Sequence, residues 1–69
     1  MAVQYEIRVD GHLDARWLAW FDGLQMTHLP NGETRLWGPV ADQAALHGLL
    51  GLIRDLNLTL IAVIRGQEL

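Results

Sequence analysis

The chain has 69 residues and contains no cysteine, no serine and no lysine. Without cysteine there is no disulfide to staple so short a domain and no thiolate to hold a metal. Without serine or cysteine, Ser/His/Asp and Cys/His nucleophilic catalysis are excluded. The threonines, Thr27, Thr34 and Thr59, all fall in strand-like runs where β-branching accounts for them. Without lysine, no glycine-rich loop can present an ammonium to a phosphate, and the seven glycines make no such loop. The five basic residues are all arginine and are scattered, and the formal net charge is −3. No basic run exists to follow a nucleic-acid backbone. No apolar run reaches the roughly 18 residues of a membrane span, and no basic-then-apolar signal segment is visible. A cytoplasmic protein is the expectation.

What the chain has in quantity is apolar surface, 51% of its residues. A domain of this size buries only about 60% of its unfolded surface and is marginal alone. A single domain over residues 1–69 that associates with itself, most simply as a homodimer, is the physically cheapest solution.

The organising stretch runs from Asp42 to Leu56. Leu46, Leu49, Leu50, Ile53 and Leu56 recur at spacings of three and four and form one apolar stripe, with Ala45 and Leu52 at its edge. Asp42 is the expected N-cap, and Asn57 tolerates the left-handed conformation of a helix stop. Opposite the stripe lie Ala44, Gly48 and Gly51. Each interior glycine costs about 1 kcal/mol relative to alanine. Such a strip is either an exposed face that tolerates glycine or a place where another backbone or a ligand comes close. His47 lies on the neighbouring polar strip.

Residues 3–9 alternate, with Val3, Tyr5, Ile7 and Val9 on one side and Gln4, Glu6 and Arg8 on the other. A short helix is expected over residues 12–22, capped by Asp14 and closed by Gly23, with Trp17, Leu18 and Phe21 on one face and Trp20 at its margin. Asn31-Gly32 between two alternating runs, 24–29 and 33–40, signals a hairpin. Residues 58–65 are apolar on both faces, the pattern of a strand covered on both sides.

The order β-α-β-β-α-β predicts a ferredoxin-like α+β domain, two helices on one face of a four-stranded antiparallel sheet. The other face would then show Gln4, Glu6, Arg8, Thr27, Arg35, Trp37, Ile61 and Val63. Ala44, Gly48, Gly51, Ile61 and Val63 are candidates for an interface, and Trp37 could equally be a single exposed ring resting on an arginine stem.

The histidines His12, His28 and His47 lack metal-ligand spacing, so neither a metal site nor a cofactor is expected. No residue is singled out as catalytic. The favoured function is a non-enzymatic, homo-oligomeric binding or regulatory module, contacting an unidentified protein or a small apolar ligand through His12, Trp17, Trp20, His28, Trp37 or His47. The alternative is a small dimeric enzyme or small-molecule-binding protein with a pocket lined by His12, His28, Trp17 and Trp20. A third reading is a pH sensor built on the histidines.

Gly11–Gly23 and Gly38–Leu58 together resemble a family of small stand-alone bacterial proteins with no assigned activity, on the pattern GHLD-x2-W-x2-WF and GPV-x-DQAALHGLL-x2-IRDL. The pattern residues are Gly11, His12, Leu13, Asp14, Trp17, Trp20, Phe21, Gly38, Pro39, Asp42, Gln43, His47, Arg54 and Asp55. The resemblance implies a bacterial cytoplasmic protein and assigns no role to any residue.

Overall fold

A computed structural model of the chain describes residues 2–21 and 23–66. Four strands form one antiparallel sheet in the order β2-β3-β1-β4, with β1 Val3–Asp10, β2 Gln25–His28, β3 Glu33–Val40 and β4 Leu60–Arg65. The hairpin forms where Asn31-Gly32 places it, and Gly32 takes φ +90°. Leu29 closes it, its N–H donating to the Glu33 carbonyl at 2.8 Å. β3 does not stop at Gly38-Pro39. It runs on to Val40 because β2 has already ended opposite Trp37, so the proline nitrogen needs no partner on that side.

The helix α1 spans Gln43–Asp55. The Asp42 carboxylate accepts from the Ala45 N–H at 2.8 Å, and Asn57 has φ +58° as the stop. Leu46 and Ile53 are the buried members of the stripe, and they meet Ile7, Val9, Leu36 and Val40 from a single face of the sheet. Leu13, Phe21 and Leu24 complete this core.

The ferredoxin-like expectation is overturned. It requires two crossover helices, and between β1 and β2 the chain makes only a six-residue 3-10 segment, Ala15–Trp20. Asp14 caps it as expected, accepting from the Arg16 N–H at 2.9 Å. Asp22, the expected last helical residue, lies outside the described residues. The segment is too short for the helix nucleus to be repaid by further α-helical bonds. A three-residue period also places Trp17 and Trp20 above one another, and their ring centroids are 6.0 Å apart. That contact favours the tighter winding.

The second correction concerns β4. It is an edge strand, and it is not covered on both sides. Leu60, Ile61, Val63 and Ile64 are 44, 45, 38 and 44% exposed. Its facing also differs from the alternation expected. Val63 lies opposite the buried Ile7 and so belongs to the core side, while Ala62 and Ile64 lie opposite Arg8 and Glu6 on the open face. Ile61 and Val63 therefore do not share the outer face with Trp37. A bulge between Arg8 and Val9 in the register, which leaves Ile61 without an opposite residue, shifts the parity that simple alternation assumes.

Candidate interaction surfaces

The sheet face turned away from α1 carries Gln25, Trp37, Glu6 and Ile64 in one row and Thr27, Arg35, Arg8 and Ala62 in the next. Arg8 and Arg35 are direct cross-strand neighbours, which alone would be repulsive. Glu6 reconciles them. Its Oε1 accepts from Arg35 Nε and its Oε2 from Arg8 Nε, both at 2.6 Å. The Arg35 guanidinium beside it holds the Glu6 carboxyl below its ordinary 4.5, against partial burial that pushes it up, and Arg8 adds to the lowering. Arg35 also lies over the Trp37 ring, 5.0 Å from its centroid. The Trp37 indole nitrogen is buried and has no hydrogen-bond partner among the described residues.

On the other side of the molecule, α1 and the end of β3 enclose an open groove of about 470 Å3. Trp20, Pro39, Val40, Ala41, Ala45 and Gly48 line it, with Leu49 and Leu52. Among the described residues no charged one contributes to this lining. Trp20 is 58% exposed. Among the described residues a Cβ added at Gly48 would meet nothing within 4 Å, so no close approach by them accounts for that glycine. Of the expected interface strip, Gly48 reaches the groove, while Ala44 is exposed on α1 and Gly51 is half-buried.

His12 and His28 come together away from the groove lining. Their rings stack with centroids 4.6 Å apart and planes 3° from parallel. His12 Nε2 lies 2.9 Å from the Leu29 carbonyl oxygen and His28 Nε2 lies 2.7 Å from that of Leu13. A carbonyl only accepts, so both Nε2 atoms carry the proton and donate. Each histidine thus bonds the residue next to the other, a reciprocal clasp between the loop after β1 and the end of β2. Both Nδ1 lone pairs lie in separate parallel planes, so a single ion cannot sit in the plane of both rings as imidazole ligation requires. Among the described residues no group of three or more potential metal ligands occurs.

Trp17 is half-buried against the core and Trp20 faces the groove. His47 is exposed on α1. Of the histidine and tryptophan candidates only His12 with His28 and Trp17 with Trp20 are brought together, while His47 and Trp37 stand apart from both pairs. The residue that sequence reasoning missed is Thr34, whose hydroxyl is buried and holds the loop after β1 by accepting from the Leu13 N–H at 2.8 Å and donating to the Gly11 carbonyl at 2.7 Å. Nothing in a strand pattern distinguishes a threonine placed for its methyl from one placed for its hydroxyl.

A family model for a domain of unknown function, DUF8691, matches residues 4–64. The chain belongs to this family. The match spans Gly11–Gly23 and Gly38–Leu58. Neither the curated proteins nor the solved structures yield a match to the chain. Among the described residues no helix is long and apolar enough to cross a membrane.

Proposed function

We propose that this domain is a non-enzymatic module that works as a homo-oligomer and offers its apolar groove to a protein or a small apolar ligand. The observation that supports self-association is β4, an edge strand whose four large aliphatic side chains are each about two-fifths exposed. An edge of this kind presents a row of unpaired backbone groups flanked by apolar side chains, and monomeric proteins ordinarily defend it with lysine, proline or a short length. LIAVIR has neither lysine nor proline, and its one charge, Arg65, and its one bulge, at Ile61, lie near its two ends. The non-enzymatic part of the reading rests on the absence of serine and cysteine and on a groove whose described lining carries no ionisable side chain.

Sedimentation of the full chain across micromolar concentrations tests the proposal. A concentration-dependent shift to a dimer or larger species is expected. A monomer throughout that range, melting cooperatively, overturns it.

A further inference from the structure

We infer that the second copy joins through β4 itself, pairing antiparallel with its own β4 about a two-fold axis at Val63. The inference rests on the homo-oligomeric reading above and specifies its geometry.

The backbone of β4 fixes which groups are free. The Gly66 N–H donates to the Gln4 carbonyl at 2.7 Å, so Gly66 and Gln4 form a bonded pair. Bonded pairs in an antiparallel ladder recur every second residue. Ile64 with Glu6, and Ala62 with Arg8, are then the next two. Val63 and Arg65 must aim their N–H and C=O groups away from β1, into solvent. These are the groups that a further strand would meet.

Symmetry and facing restrict the axis to pass through a single residue, and the outward backbone groups, the bulge and Arg65 then favour Val63. A two-fold axis joining two identical edge strands antiparallel stands perpendicular to the sheet, and it leaves each face on its own side. Directly opposite residues must point the same way. With the axis at Val63, Val63 meets the partner's Val63 on the core side, and Ala62 meets the partner's Ile64 on the open side. This register keeps the axis on the regular half of β4, beyond the bulge at Ile61. The one charge on β4, Arg65, then lies opposite the partner's Ile61, and the two arginines sit at opposite ends of the seam. No like charges meet.

The area agrees with a weak but specific contact. The exposed aliphatic surface of β4 amounts to roughly 300 Å2 per copy, the scale of the largest patch on an ordinary monomer. Doubling it gives roughly half the area of a small specific interface, so the aliphatic contact is a weak one to which the paired backbone groups add hydrogen bonds. The competing edge, β2, is four residues long and presents exposed Gln25, Thr27 and His28, so it is the poorer template. The product is a continuous eight-stranded sheet with both α1 helices, and both grooves, on one side.

The chain has no cysteine, so a single engineered thiol reports its own position. Val63→Cys places two thiols across a bonded antiparallel pair, where the Cα separation of about 5.5 Å suits a disulfide. Under mild oxidation it is expected to give a disulfide-linked dimer, whereas Thr27→Cys on the far edge is expected to give none. Val63→Pro removes only an outward N–H, and it is expected to keep the fold by circular dichroism while weakening association by roughly tenfold or more. If Val63→Pro does not fold, the thiol result alone decides. A parent chain that stays monomeric overturns both readings. A parent that dimerises, with no cross-link at Val63 or with a cross-link at Thr27 instead, overturns this register and leaves the homo-oligomer standing.

Discussion

Thr34→Val is the substitution whose cost follows most directly from the structure. Thr34 is fully buried on β3, and its hydroxyl both accepts from the Leu13 N–H and donates to the Gly11 carbonyl. Valine has the same shape and neither bond. Leu13 is itself buried between exposed neighbours, so stranding its N–H costs about 1–3 kcal/mol. The Gly11 carbonyl belongs to an exposed residue and can turn to water, so its loss is that of one ordinary bond, about 0.5–1.5 kcal/mol. The new methyl group returns about 0.8 kcal/mol of burial. The net is a destabilisation of about 2 kcal/mol, a fall in Tm of roughly 8–16 °C for a domain of this size. Urea titration should show a lower midpoint with an unchanged slope, since the surface exposed on unfolding is the same. Thr34→Ser keeps the hydroxyl and should lose about half as much, or less. If Thr34→Val melts within about 0.5 kcal/mol of the parent, the loop after β1 is not held as described, a deviation well inside what this bonding pattern forbids.

Gly48→Ala should stabilise the monomer by about 1 kcal/mol, read as a higher urea midpoint, because the new Cβ meets nothing within 4 Å and the helix gains propensity; a loss of stability would mean that the groove closes over this position. Glu6 is held below its ordinary value chiefly by Arg35, so its contribution to folding is present above about pH 4.5 and is lost as pH falls through the lower folded value. Acid titration of Glu6→Gln should therefore show a shallower loss of stability below that pH than the parent shows. Trp37→Phe removes an indole N–H that has no partner while keeping most of the ring against Arg35, so its melt should lie within about 1 kcal/mol of the parent; a markedly larger loss would show that an acceptor reaches that nitrogen.

Much of the architecture was legible because single residues signal it. Asp42 and Asn57 mark the ends of α1, the three-and-four spacing of its leucines marks the buried face, and Asn31-Gly32 marks the hairpin. The segment after β1 was misjudged for a reason that sequence periodicity cannot resolve. Trp17, Leu18 and Phe21 satisfy an α-helical spacing, yet over six residues Trp17 and Trp20 satisfy a 3-10 spacing equally well, and tertiary contact decides. The facing of β4 was misread because one bulge opposite the Arg8–Val9 step reverses the alternation, and a bulge leaves no mark in the composition of an aliphatic run. The stacking of His12 on His28 depends on the loop after β1 meeting the end of β2, sixteen residues apart, a relation that no local pattern encodes.

The composition of β4 and its place in the sheet disagree. Its sequence is that of a strand covered on both faces, and its place in the monomer is that of an uncovered edge. Elsewhere in the sheet, composition and exposure agree: β2 is the other edge, and it is short and largely polar, while β1 and β3 are central and bury Ile7, Val9, Leu36 and Val40. The disagreement is confined to one strand, and the substitutions that would relieve it are simple, since a lysine at an exposed position, or a proline at Val63 where the N–H faces outward, would blunt the edge. An apolar edge costs a monomer solubility and offers it no core packing in return. A second copy laid against β4 removes that cost, since it pairs the outward N–H and C=O groups of Val63 and Arg65 and covers the aliphatic side chains beside them. Residues chosen for burial then become buried, and sequence and fold describe the same strand.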